Sequence, residues 1–356
     1  MKHLVLTSMS IGLLVMACDD SPKMSGNGMG GTNPPADSGV SMNTPDSGTT
    51  GNPDATMNVD PDGGTPMMDP DSGVDFTRDP SCPMDASWIT TVSGNVTDEM
   101  GNPMKDAWAQ LCLVTCGPEA NCGGGTAVCL TPADTIADGS FEVFVPVENR
   151  CLVEMTMRNL VVGQNRATMY CHLGLDSAES AYQVTESLKL YPTVSATMIP
   201  PEGDKEMVRD IQFADGLTLS MAPKYFYGEY EELAAAPVDP SGLCFVEDPS
   251  TVDALYAFSP EGTAGVDFMN NTIREIGIKM PVPANSMASA GDKYKLFALG
   301  GLGCPDPTSM EPGSNFIKEG EWAQFGTGTV DMSGTMIESD VGTGVPCLTW
   351  VKIEKE

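Results

Sequence analysis

The chain has 356 residues, with 49 Asp and Glu against 18 Lys and Arg and a formal net charge of -31. An acidic excess of that size repels phosphate backbones, so a nucleic-acid partner is excluded. With 2 His in the whole chain a multi-histidine metal site is excluded, and 38 Gly with 28 Pro oppose long helices.

Residues 1–17 read as a signal peptide. Lys2 supplies the positive start, and Leu4 to Val15 is a short, mostly apolar run. A bilayer core about 30 Å thick needs roughly 20 apolar residues, so this run is a removed targeting segment rather than a span. It ends in Leu14-Val15-Met16-Ala17-Cys18, which resembles the bacterial lipobox. The resemblance implies cleavage before Cys18, a diacylglycerol thioether on its sulfur, and anchoring in membrane lipid. An ordinary signal peptide cleaved after Ala17 is the alternative. Asp19 and Asp20 resemble the inner-membrane retention signal of enterobacteria. Sorting rules differ among bacteria, and the expected location is the cell envelope, on the outer membrane or cell surface.

Residues 18–80 carry the lipidated Cys and then a linker. From 19 to 80 there is no Leu, Ile, Trp, Tyr or Cys, and 10 Gly and 9 Pro occur among 62 residues. So little apolar area cannot offset the ordering of the backbone, which predicts a disordered Pro/Gly/Asp-rich spacer. A loose repeat runs through it, as at Pro45-Asp46-Ser47-Gly48 and Pro70-Asp71-Ser72-Gly73. A coil of this length reaches ~45 Å, enough to hold a domain clear of lipid headgroups. Asp69, Asp71 and Asp75 have the acid spacing of a calcium loop, but no closing Glu follows and no helices flank them. The segment therefore reads as a solvated spacer, and no metal or cofactor is expected.

From Ser81 the apolar residues return in short runs bounded by Gly, Pro, Asn and Asp. That pattern predicts an all-β fold, two β-sandwich modules at 81–185 and 186–356. Strands are expected at Thr91–Val96, Ala107–Val114, Phe141–Val145, Leu152–Met157, Ala167–Leu173, Leu188–Leu190, Val194–Met198, Leu217–Met221, Leu255–Phe258, Ile276–Met280, Lys295–Leu299, Phe325–Val330 and Leu348–Ile353. Helical stretches are expected only as short ones, and Gly228 to Ala236, around Glu229, Glu231, Glu232 and Leu233, reads as one, the alternative being a loop.

In the first module Gly94, Val96, Asp98, Gly101, Pro103 and Ala107 are followed by Asp138-Gly139 and Phe141. The chemistry suits a turn between two strands, with Gly101 free to take positive φ and Asp138-Gly139 a tight turn before a strand. The set resembles the carboxypeptidase regulatory-like domain, a prealbumin-type β-sandwich, over roughly residues 90–150. In that family the module is a non-catalytic accessory, common in surface proteins. The chain departs from it between Cys112 and Cys129, where a Gly- and Cys-rich insertion replaces a plain hairpin or short strand. In the second module Tyr256, Phe258, Pro260, Gly262, Ile276, Ile278, Met280, Pro281, Trp322 and Gly326 to Val330 resemble ZU5-like β-sandwiches, which are interaction modules.

Setting Cys18 aside, ten cysteines remain: Cys82, Cys112, Cys116, Cys122, Cys129, Cys151, Cys171, Cys244, Cys304 and Cys347. An even number in an exported chain predicts five disulfides. A zinc site at Cys112, Cys116, Cys122 and Cys129 is the alternative, but no Cys-x2-Cys knuckle occurs. Seven of the ten precede residue 186. Full pairing therefore requires a bridge across that position, so the modules are either covalently locked or divided elsewhere.

No catalytic residue is assigned. His172 is the one His left after processing and sits in a predicted strand beside Cys171, with no Gly-x-Ser-x-Gly elbow or phosphate-binding Gly loop. A surface or strand histidine is the simpler reading. Tyr225, Phe226, Tyr227 and Tyr230 lie beside Glu229, Glu231 and Glu232 and are a possible sugar- or peptide-stacking platform, the alternative being a strand with alternate rings in the core. Trp88, Trp108, Trp322 and Trp350 are expected in cores. The function expected is non-catalytic binding or structural work on a glycan, peptidoglycan or envelope protein. The alternative is a secreted glycosidase-like hydrolase using a carboxylate pair in the second module.

Overall fold

A computed structural model describes residues 78–116, 126–161, 165–175, 180–200, 203–204, 206–222, 233–261, 266–267, 272–273, 276–284, 286–301, 303–308 and 316–356. Cys18, the spacer, Cys122 and the aromatic run of Tyr225, Phe226, Tyr227 and Tyr230 lie outside the described residues. Those described belong to one compact unit beginning at Pro70.

The fold is all-β. Its first half lays down β1 (Ser87–Trp88), β2 (Thr91–Asp98), β3 (Trp108–Thr115), β4 (Thr126–Cys129), β5 (Ala133–Asp134), β6 (Ser140–Phe144), β7 (Cys151–Leu160), β8 (Met169–His172), β9 (Ala181–Gln183) and β10 (Leu188–Leu190). The second half adds β11 (Val194–Ser195), β12 (Arg209–Gln212), β13 (Thr218–Met221), β14 (Ala234–Pro237), β15 (Ala254–Ser259), β16 (Val266–Asp267), β17 (Thr272–Ile273), β18 (Gly277–Pro281), β19 (Lys293–Leu299), β20 (Trp322–Val330), β21 (Met336–Ser339) and β22 (Trp350–Lys355). Each strand expected from the sequence is present, with ends shifted by a few residues.

The first half is a sandwich. One sheet runs β1-β7-β3-β4, with β5 beside β3 and β8 beside β7, and the other runs β10-β2-β6, with β9 beside β2. Alternation along β3 and β7 sends Leu111, Leu113, Met155 and Met157 inward to meet Val92, Val96, Val143 and Leu190. Three of the signature residues have a visible local task. Asp98 Oδ1 accepts from the N–H groups of Met100 and Asn102, closing the turn that Gly101 enters at φ 85°. Gly139 has φ 78°, and a Cβ there would lie 2.4 Å from the Val96 carbonyl oxygen, so no other residue fits. Across the Cys-rich insertion β3 and β4 still pair antiparallel, with Cys112 directly opposite Cys129. The insertion thus lengthens a hairpin instead of replacing it.

The second half is a ten-stranded sheet folded over its own core, in the order β11-β14-β15-β22-β19-β20-β21-β18-β13-β12, with β16 and β17 paired apart from it. Its two ends meet. The chain leaving β11 exchanges backbone hydrogen bonds with β12, at Met198 and Gln212. The closure removes an exposed strand edge. Leu219, Ile278, Tyr294, Leu296, Phe258 and Ile353 fill the interior.

Strands β15 and β22 are buried on both faces. Tyr256, Phe258, Val351 and Ile353 point into the second core. Leu255, Ala257 and Trp350 belong to the first. The pair is a shared wall, which explains why Ala254–Ser259 reads as a nearly continuous apolar run.

The expected helix ending at Ala236 is corrected in its described part: Ala234–Pro237 is β14, paired with β11 and β15. Alanine favours helices by under 1 kcal/mol per residue, and burial of Leu233 and Ala235 in the second core outweighs that preference. Trp88 and Trp350 are buried as expected, but Trp108 is 38% exposed and Trp322 is half-buried at a cleft wall. Trp108 points away from the sandwich core because the alternation along β3 buries Ala109, Leu111 and Leu113 instead.

Four bridges join Cys82 to Cys151, Cys112 to Cys129, Cys171 to Cys244, and Cys304 to Cys347. Cys116 is also disulfide-bonded. The Cys171–Cys244 bridge joins the two halves, on either side of position 186. Disulfides on this scale belong to an extracellular or cell-surface protein, outside the reducing cytoplasm.

Candidate functional site

The two halves meet over the outer face of the β7-β3 sheet, which is polar. On β7, Glu154, Thr156 and Arg158 alternate with the inward Met155 and Met157. Tyr170 and His172 continue that outer face on β8, with Thr156 paired to His172 and Arg158 to Tyr170. Segments near Glu261 and Lys318–Glu321 of the second half cover it, and Gly320 lies over the Tyr170 carbonyl oxygen.

Under that cover sits a buried ionic cluster. Arg158 lies 3.6 Å from Glu261, with side chains 15% and 8% exposed. It donates to Gln110 Oε1 at 3.3 Å and stands 6.0 Å above the centre of the Tyr170 ring. Gly301 leaves room for the arrangement, since a Cβ there would meet Glu261, Thr349 and the Tyr170 hydroxyl. Burial, followed by the Glu261 charge, pushes the Tyr170 phenol well above its ordinary pKa. Burial also raises the Glu319 carboxyl, with Arg158 opposing and Glu261 adding to the rise.

The sign for Glu319 follows from linkage. A carboxyl raised by burial penalises the folded state once it ionises, so the penalty is absent at low pH and grows as pH rises through the ordinary carboxylate range. Glu319→Gln is therefore expected to be more stable than the parent at pH 7. The gap should close below pH 4 in parallel denaturant titrations. A variant less stable at pH 7 would show that the Glu319 charge is compensated.

Beside the cluster opens a cleft of about 580 Å3, walled by His172 of β8, the loop from Cys244 to Thr251, the Gly320–Trp322 segment and Lys352. The Cys171–Cys244 bridge ties that loop to the edge strand β8. The loop's Phe245 reaches into the first core. Its carbonyl accepts the Trp322 indole N–H at 2.7 Å, and the two rings meet edge-on with centroids 5.9 Å apart. The Lys352 ammonium sits 5.0 Å from the centre of the Trp322 ring and 4.8 Å from that of Phe297, and pairs with Glu354 at 2.7 Å. Glu247, Asp248 and Glu321 are exposed at the cleft.

His172 is exposed at the rim. Its Nδ1 lies 3.2 Å from the Thr156 hydroxyl and its Nε2 3.4 Å from Glu154. Glu154 also pairs with Lys318 at 3.6 Å. The order hydroxyl, imidazole, carboxylate is that of a nucleophilic triad. Thr156 is only 6% exposed, however, so the hydroxyl does not present itself to a substrate. Three of the described ionisable groups, Cys112, Cys129 and Glu319, come within metal-ligand spacing of one another, but both sulfurs are held in a disulfide.

The sequence singled out His172 and Trp322 but not the cleft they share. Arg158, Glu261, Glu319, Phe245 and Lys352 went unread. Their one sequence signal is a charge inside an apolar strand, as at Arg158 and Lys352.

No family model matches the chain, and no curated protein matches it. Among solved structures it is similar to a mutant of the shaft pilin SpaA from Lactobacillus rhamnosus GG, at 9% identity and a TM-score of 0.18, over 72% of this chain and 85% of that one.

Proposed function

We propose that the chain is a lipid-anchored protein of the bacterial cell envelope, held through Cys18 on the outer membrane or cell surface, and that its disulfide-stapled β modules bind or support other envelope components without catalysis. The observation that carries the reading is that every cysteine among the described residues is disulfide-bonded, as expected of a chain exported behind a signal peptide. The turn residues Asp98, Gly101 and Gly139, each with a structural task, support a carboxypeptidase regulatory-like module in the first half. On this reading the modules span 81–185 and 186–356, and the spacer holds them off the membrane.

Mass spectrometry of the mature N-terminus tests the anchor. The expected species begins at Cys18 and carries acyl chains, and a Cys18→Ala variant is released from membranes. An N-terminus without acyl groups would refute lipidation.

A second reading, a hydrolase using a carboxylate pair in the second half, has one observation in its favour: Glu261 and Glu319 act on each other and burial raises Glu319. Against it, Arg158 pairs with Glu261, and neither carboxylate lines the cleft.

A further inference from the structure

The cleft between β8 and the 244–251 loop has the makings of a ligand site, and its chemistry narrows the ligand. Its volume of about 580 Å3 lies within the roughly 300–1,000 Å3 of small-molecule sites. Trp322 gives it an aromatic wall whose position is fixed by a hydrogen bond to the carbonyl of Phe245, a residue itself anchored by burial in the first core.

Charge then selects. Glu247, Asp248 and Glu321 at the rim repel an anion. Lys352 already holds its ammonium over the Trp322 ring, with a side chain only 14% exposed. That ammonium is neutralised by Glu354 at 2.7 Å, but it occupies the place over the ring that a cationic ligand stacking on Trp322 would have to take. What satisfies both signs is a neutral molecule whose groups accept from an ammonium and donate to carboxylates, with an apolar face for the indole. Hydroxyls do both, and a pyranose ring carries them around a face of C–H groups. We infer that this cleft binds a short neutral glycan, stacked on Trp322, with hydroxyls bonded to Lys352 and to the Glu247 and Glu321 carboxylates. The inference rests on the envelope-binding reading above and names the ligand class for it.

The Cys171–Cys244 bridge gives the site its rigidity, since one wall is the loop that it pins to the other. A wall fixed in advance lowers the ordering cost of binding.

The test uses the full processed chain on a panel of neutral oligosaccharides (chito-, cello- and malto-oligosaccharides), anionic oligogalacturonates and cationic chitosan oligomers. The expected result is retention of at least one neutral series and neither charged one. Trp322→Ala and Glu247→Ala should each weaken binding about tenfold or more. Glu247 is exposed, so its variant keeps the fold and holds the test open if Trp322→Ala unfolds. No retention of any neutral series, or retention that both variants leave unchanged, overturns the cleft assignment. Shortening of a retained glycan keeps the cleft but sinks the non-catalytic reading. An unlipidated N-terminus sinks the anchor without touching the cleft.

Discussion

Replacing Cys171 and Cys244 together by serine should cost the folded unit about 4 kcal/mol. The bridge closes a loop of 73 residues. Freeing a loop of that size in the unfolded chain is worth about 4 kcal/mol by loop-closure entropy, within the 2–5 kcal/mol seen for native bridges. The Cys82–Cys151 bridge closes a similar loop, with a separation of 69, but lies within the first half. The Cys171–Cys244 bridge instead fastens a second-half loop to β8, so its loss also frees Phe245 and the cleft wall. Denaturant unfolding of the double variant should show a midpoint well below the parent's, and hydrogen exchange should rise first over residues 243–252. A loss under 1 kcal/mol would mean that noncovalent packing alone fixes this loop.

Trp350→Ala should cost at least as much, about 3–5 kcal/mol for the lost side chain and its cavity. Trp350 has no exposed surface. It stands on β22, next to β15 and β19, yet its ring belongs to the first core, 5.0 Å from Phe245 and 6.1 Å from Tyr191 between centroids. Its indole N–H donates to the Thr168 carbonyl at 2.7 Å, and truncation leaves that acceptor unpaired, at a further cost of about 1–3 kcal/mol. The melting temperature should fall on the order of 10 °C. Trp350→Phe, which keeps a ring and loses the donor, should fall between the parent and Trp350→Ala. A small loss in Trp350→Ala would contradict the account of β22 as a wall common to both cores.

The long alternating strands were legible because one face of each is buried: β2, β3, β7 and β19 carry the period of two in their residues. β4 was hidden by the Gly and Cys residues beside it, and β14 by its run of alanines, whose local preference runs against the sheet that claims them. β5 has only two residues, too few to show a period, and β12, Arg-Asp-Ile-Gln, carries a single apolar side chain. Closure of the ten-stranded sheet rests on Met198 meeting Gln212, a contact that neither residue's type signals. The same holds for the junction. Arg158, Glu261 and Glu319 are far apart in sequence and meet only because β7 turns its polar face toward the second half. In the sequence each is one more charge among many. The cysteines carried longer-range information, since an odd number before residue 186 already required a bridge across that position.

The two halves form one covalently locked unit with the cleft at their junction. Non-reducing peptide mapping of the full chain checks this. A cross-linked pair of peptides containing Cys171 and Cys244 is the predicted result. Cys171 bridged within the first half, with Cys244 free or joined to Cys304 or Cys347, would contradict it.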